Sequence, residues 1–332
     1  GTYVREYLSF FVRAALQLLR DHRRRRYALV QVATLPDWLV FAALPLRLVG
    51  VPVVLDLHEA MPEFFASRFP RLARGPAQLA MLAAERLSVA VATHALTANE
   101  ALRERLIDRG ADPTRVTTVP NAPSLARFDP AGLDRRRFMA DGCLRLVYAG
   151  AVTPTYDLGV VLDALELLAL DRPELVITFD VYGRGDAEDE LRARSAATGT
   201  HSRIQLHGRL PIERMPESLA AADVGVAPIA PSRFTRLSFS TKLLEYGAMG
   251  LPIATARLPL AERLLGDDAV WFFEAGDPAS LASAIGAIVD DAGARESRVQ
   301  VMTARVRALS WELEQARYVA LIERLAGRQR AG

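Results

Sequence analysis

The chain has 332 residues, 51% of them hydrophobic and 24% charged, a globular composition that excludes a disordered or fibrous protein and leaves room for two domains. Its one cysteine, Cys143, excludes an intramolecular disulfide and a cysteine-built zinc site, and suits a reducing, cytoplasmic compartment. Basic residues outnumber acidic ones 17 to 12 over 1–130 and trail them 24 to 27 over 131–332, an imbalance too small for a nucleic-acid binder and unaccompanied by any nucleic-acid motif.

The chain opens with Gly1 inside an amphipathic helical pattern (Tyr7, Phe10, Phe11, Ala14, Leu18). That opening leads us to expect an N-terminally truncated first domain. The pattern runs into DHRRRRY, which contains His22; such a run is a solvated helix end that also offers charge to an anionic membrane surface. The apolar stretch Tyr27–Leu55 is broken by Pro36, Asp37, Pro45 and Arg47 into pieces too short to span a bilayer. Strands are predicted at Ala28–Ala33, Val51–Asp56, His94–Thr97 and Val116–Val119, with helices at 38–48, 77–91 and 99–109. Residues 129–142, rich in Pro, Asp and Arg without apolar periodicity, read as a linker after a first domain spanning 1–128.

A second series follows over 143–310. Strands are predicted at Leu144–Tyr148, Val176–Tyr182, Ile204–His207, Val224–Ala227, Pro252–Thr255 and Val270–Phe273, alternating with helices at 158–170, 188–197, 213–222 and 241–249. Alternation of this kind specifies an α/β fold with parallel sheets. Residues 311–332 read as a C-terminal helix returning to the first domain.

Chemistry concentrates in SFSTKLLEYGAMGLP. Ser240 and Thr241 are suitable N-cap residues, and a helix starting there presents free N–H groups and the positive end of its dipole to a phosphate. Lys242 adds a charge. It is the one lysine among 41 basic residues, and a lysine kept in so arginine-rich a chain points to a position that needs a compact ammonium. Glu245, one turn on from Thr241, is spaced to accept two hydrogen bonds from a ribose diol. A surface helix with an ordinary cap and an exposed glutamate is the competing reading. The Gly183-Arg184-Gly185 turn after a strand is by itself a weak dinucleotide signal, read mainly as a tight turn.

PSRFTRLSFSTKLLEYGAMGLPIA resembles the donor-binding segment of the GT-B glycosyltransferases, in particular the retaining family 4 group. The resemblance continues through LVGVPVVLDLHEAMPEFF, TVPNAPSLARF, LVYAGAVTPTYDLGVVLDAL, FDVYGRGDAEDELR, IQLHGRLPIERMPESLAAADVGVAPI and SWELEQARY. It implies two Rossmann-like domains facing across a cleft, the first on the acceptor side and the second binding the nucleotide-sugar donor. It further implies that Glu245 holds the ribose, that Ser240, Thr241, Lys242 and Arg233 lie at the diphosphate, and that Gly208, Arg209 and Leu210 border the base. Gly150, Gly183, Arg184 and Leu244 complete the expected donor site. His58, in an Asp-x-His-Glu turn, is the expected sugar-facing residue and, with Glu245, the catalytic candidate. Glu59 and Glu63 read equally as acid/base groups or solvated side chains, and His94, His201 and His207 have no motif role.

Two family features are missing. The cationic clamp positions hold Ala151 and Asp157, and a glutamate expected eight residues before Glu245 is Leu237. Neutralising the phosphates would then rest on the helix N-terminus, Lys242, Arg233 and Arg236. The resemblance implies retaining transfer of a sugar from a nucleoside diphosphate sugar to a glycan or lipid-linked acceptor in bacterial surface polysaccharide or glycolipid synthesis. No cofactor beyond that co-substrate is expected, and no metal, since the chain has no Asp-x-Asp motif. The expected location is the cytoplasm, with the basic first domain at the inner membrane face. The alternative is a degenerate nucleotide-sugar-binding partner of an active transferase; a 2-epimerase on the same fold suits the Thr-Lys-x-x-Glu-Tyr segment less well.

Overall fold

The computed structural model describes residues 2–71, 74–197 and 203–327; His201 lies outside them. The chain divides into two compact units, Gly1–Asn121 with Leu313–Gly332, and Ala122–Glu312. Residues 129–142, expected as a linker, are part of the second unit. They lack helical periodicity because they run as turns, yet the Arg136 guanidinium donates to the buried Asp223 and to the Cys143 carbonyl, and Phe138 packs on the core.

The first unit opens with helix Thr2–Arg25. Strands β1 (Val30–Ala33), β2 (Val53–Leu57), β3 (His94–Thr97) and β4 (Val116–Thr118) form a parallel sheet in the order β1-β2-β3-β4. The helix expected over 38–48 is split into a 3₁₀ segment, Asp37–Ala43, and a short α-helix, Leu44–Leu48. Pro45 explains the break, because it lacks an N–H and is tolerated only in a first turn. A helix at Met61–Arg68 was not foreseen; its apolar positions are too few to show a period. The C-terminal helix, Trp311–Gly327, sets Leu321 and Leu325 against Val54 of β2 and Leu96 of β3.

Beneath this sheet Glu63 and Glu85 meet Arg105 and Arg109 in a closed set of four ion pairs, with Arg105 to Glu63 at 2.8 Å and Arg109 to Glu63 at 2.6 Å. Glu63 is therefore a structural residue, neither solvated nor free for acid/base work. Asp37 is fully buried nearby with neither carboxyl oxygen hydrogen-bonded among the described residues. Burial, with Glu85 adding to it, pushes its pKa up to about 7.

The second unit holds a six-stranded parallel sheet made of β5 (Cys143–Ala149), β6 (Val176–Tyr182), β7 (Ile204–Gly208), β8 (Val224–Ala227), β9 (Ile253–Ala256) and β10 (Trp271–Phe273). Its order is β10-β9-β8-β5-β6-β7. Strands β8 and β9 are buried along their whole length, as strands covered on both faces must be. The order grows outward from β5 through β6 to β7, then restarts on the other side of β5 with β8. No described helix of either unit is long and apolar enough to cross a membrane.

Candidate functional site

Open parallel sheets bind ligands beyond the carboxyl ends of their strands, where the strand order reverses. In the second unit that place lies between β5 and β8. The loop leaving β5 and the loop leaving β8 are tied together there: Tyr156 bridges Ile229, and Ala230 N–H donates to the Thr155 carbonyl at 3.0 Å.

Three glycines line the adjoining strand ends. Gly150 N–H donates to the Tyr182 carbonyl at 2.9 Å, and Gly183 N–H donates to the Gly208 carbonyl at 2.8 Å. A Cβ on Gly183 would overlap the Gly150 carbonyl oxygen, so only glycine allows these backbones to approach. Arg184 flanks the row, its Nε 3.2 Å from where a Cβ of Gly208 would stand. Beyond the row, Arg209 is exposed and Leu210 is half-buried against the core.

Helix Thr241–Ala248 points its N-terminus toward the same strand ends, with Ser240 as N-cap. The side-chain cap expected of Ser240 is not formed. Its Oγ instead accepts from Lys242 Nζ at 3.0 Å, which leaves the first-turn N–H groups without a side-chain acceptor from the cap. Lys242 is only 6% exposed. Its Nζ lies 3.8 Å from the Tyr156 ring centre and 5.0 Å from that of Tyr148, and a Cβ on Gly150 would stand 3.3 Å from it. Burial pushes the Lys242 pKa down to about 7, against the pull of the Glu245 carboxylate.

Glu245 is half-buried. Burial raises its pKa, while Lys242 and Arg127 lower it. The next residue, Tyr246, is fully buried and its hydroxyl accepts from Ala149 N–H at 2.8 Å, locking the helix to the end of β5. Thr241 is half-buried at the helix start. Leu244 does not join the site: its side chain is 2% exposed and belongs to the core. Arg233 and Arg236 are exposed on the turn before the helix, a turn held by Thr235, whose Oγ1 accepts from Ser232 N–H at 2.7 Å and donates to the Ala230 carbonyl at 2.8 Å. Ala151 and Asp157 supply no cation beside Gly150, and Lys242 delivers its ammonium there from the facing helix.

His58 belongs to the first unit, just past the end of β2. Its side chain is 44% exposed, and Nε2 lies 3.3 Å from Asp56 Oδ2. The hydrogen bond to Asp56 raises its pKa, burial opposes this, and Asp56 and Glu59 add charge in the raising direction. Burial likewise raises the Glu59 pKa. Neither of the other described strand histidines enters the site: His94 is buried against Thr117 at 2.8 Å, and His207 pairs with Asp180 at 2.6 Å and stacks on Tyr182. Sequence reasoning missed Tyr148, Tyr156, Arg127 and Asp56. Asp56 alone carried a signal, as the first residue of the Asp-x-His-Glu turn.

A reversed strand order, a glycine-lined crevice and a facing helix N-terminus define the second unit as a Rossmann-like domain, and the first unit's parallel sheet is of the same class. The family model "Glycosyl transferases group 1" matches residues 143–291, and "Glycosyl transferase 4-like domain" matches residues 3–122. Residues 143–291 thus belong to the group 1 glycosyltransferases and residues 3–122 to the glycosyltransferase 4-like domains, and the fold is GT-B. It is 29% identical over 232 residues to a D-inositol 3-phosphate glycosyltransferase of Geodermatophilus obscurus, a match covering 65% of this chain and 48% of the relative. It is 30% identical over 179 residues to the phosphatidyl-myo-inositol mannosyltransferase of Mycobacterium leprae, covering 52% of this chain and 44% of that one. The chain thus spans about half the length of these curated relatives. Among solved structures, the Anabaena protein HepE in complex with UDP-glucose shares the fold with a TM-score of 0.69 and 15% identity, over 96% of this chain and 81% of its own.

Proposed function

We propose that the chain transfers a sugar, with retention, from a nucleoside diphosphate sugar to the hydroxyl of a glycan, polyol phosphate or lipid-linked acceptor. The observation that carries this reading is the convergence of Lys242, the N-terminus of helix Thr241–Ala248 and the Gly150–Gly183–Gly208 row at the switch point, with Glu245 one turn further along the helix. The diphosphate leaves as charge builds on it. The helix dipole and the Lys242 ammonium meet that charge in a place already shielded from water, where each is worth more than in bulk solvent. Glu245 takes the ribose diol, and Arg233 and Arg236 close over the phosphates from their exposed turn. His58, in the first unit, is the residue that the family resemblance assigns to the sugar. No metal is required in this scheme, because fixed cations supply the stabilisation.

The acceptors in the relatives' names, an inositol phosphate and a phosphatidylinositol, support a phosphorylated polyol or its lipid as acceptor class, for surface glycolipid or polysaccharide synthesis on the cytoplasmic side of a membrane. The test is a binding panel of UDP, GDP and dTDP, followed by transfer assays with the matching sugars in the presence of EDTA. The proposal expects one nucleotide to bind, release of that nucleotide without added metal, and loss of binding in Glu245→Ala. Donor binding without turnover toward any acceptor would instead favour the degenerate partner, the reading that Ala151, Asp157 and Leu237 motivate. Binding unaffected by Glu245→Ala would remove the site assignment.

A further inference from the structure

One set of side chains in the first unit is not used by the donor site. The Tyr318 hydroxyl, on the C-terminal helix, donates to Gln31 Oε1 of β1 at 2.5 Å. The Gln31 amide then donates from Nε2 to Asp56 Oδ2 of β2 at 2.8 Å, and the same oxygen lies 3.3 Å from His58 Nε2. The sheet register explains the meeting. Gln31 pairs with Val54, and Asp56, two residues on, shares a face with both. Val54 packs against Leu321 and Leu325, so the C-terminal helix covers this face and brings Tyr318 over Gln31.

Every donor in the chain points toward Asp56. A carboxylate has no proton to give, so the His58 nitrogen facing it must carry one. We propose that Tyr318, Gln31 and Asp56 are positioning residues that hold His58 as its Nε2–H tautomer, leaving Nδ1 as the free acceptor for a substrate hydroxyl. This deepens the reading of His58 as sugar-facing and rests on it for the substrate, although the tautomer itself does not. Among the described residues, the other charged group bearing on the ring is Glu59, in the following turn; the direction of the His58 shift, upward through Asp56, accords with the geometry. The second ring nitrogen sets which atom is offered to a ligand, as in other sites where a carboxylate orients an imidazole.

The test is long-range ¹⁵N–¹H correlation of the imidazole rings in the full ¹⁵N-labelled chain, with His58 assigned by loss of its signals in His58→Gln. The expected result is a ring that, above its midpoint, is protonated on Nε2 and bare on Nδ1. Asp56→Asn should lower the midpoint by about one pH unit and mix the tautomers; Tyr318→Phe, which keeps the helix packing, should move the midpoint the same way by less. A wild-type ring protonated on Nδ1, or a Tyr318→Phe midpoint equal to wild type, would overturn the proposal, and both are readable even if Asp56→Asn does not fold. A chain with the expected tautomer that transfers no sugar would overturn the transferase reading and leave this one standing.

Discussion

Replacing Lys242 with Met should make the protein more stable and worse at binding its donor. Met keeps the length and volume of the aliphatic stem but removes the ammonium. In the folded chain the Lys242 pKa is pushed down to about 7 from 10.5, a gap equivalent to about 5 kcal/mol at about 1.4 kcal/mol per tenfold. That is the upper limit of what Lys242→Met recovers near neutral pH. For a unit of this size that is a rise in Tm of up to roughly 10–20 °C for Lys242→Met. Between pH 7 and 10.5 the unfolded chain holds the Lys242 proton and the folded chain does not, so this cost shrinks as pH rises through that window and the advantage of the variant shrinks with it. Donor binding has the opposite sign. A charge-assisted hydrogen bond to phosphate contributes about 1.5–3 kcal/mol, so the variant should bind the nucleoside diphosphate roughly 10- to 150-fold more weakly. Wild-type affinity should also fall from pH 6.5 to 8.5, while that of the variant stays nearly flat. Titration calorimetry at the two pH values and thermal unfolding of both proteins measure all of this. A variant that melts lower than wild type and binds the nucleotide equally well would refute the assignment of Lys242 to the diphosphate.

Three further outcomes follow from the structure. Asp37 is protonated in the folded chain up to about pH 7 and in the unfolded chain only to about 4, so stability falls as pH rises between those values; Asp37→Asn should gain on wild type by up to about 3 kcal/mol from pH 5 to pH 8, and equal melting differences at the two pH values would contradict this. Arg105→Met removes one of the two arginine partners of each of Glu63 and Glu85 in the buried ion-pair set and should cost about 3–5 kcal/mol in urea unfolding, whereas a change under 1 kcal/mol would mean the set is solvated. Gly183→Ala drives a methyl group into the Gly150 carbonyl oxygen; it should lose about 3 kcal/mol or more together with nucleotide binding, and a crystal structure or binding curve like that of wild type would show the row to be slack.

The sequence by itself determined the α/β class and most strand positions, because strands buried on both faces read as short apolar runs whatever their neighbours. It also determined the start of the helix at Thr241, since Ser-Thr before a periodic apolar face is a local signal, and the weight placed on Lys242, which stood out against 40 arginines. Only the tertiary structure decided what these residues touch. The Ser240 side chain goes to Lys242 because the ammonium sits between Tyr148 and Tyr156, residues 94 and 86 positions away in sequence that the β5–β8 reversal brings to the same crevice. Leu244 turned inward, and Glu63 joined a buried set of ion pairs with Arg105 and Arg109, because helical periodicity says which face a side chain shares but not what packs against that face. The partners of His58 lie on β1, β2 and the C-terminal helix, 287 residues apart at the extremes; no spacing rule links them, and a hydrogen-bond chain of that span exists only once the sheet register and the final helix are in place.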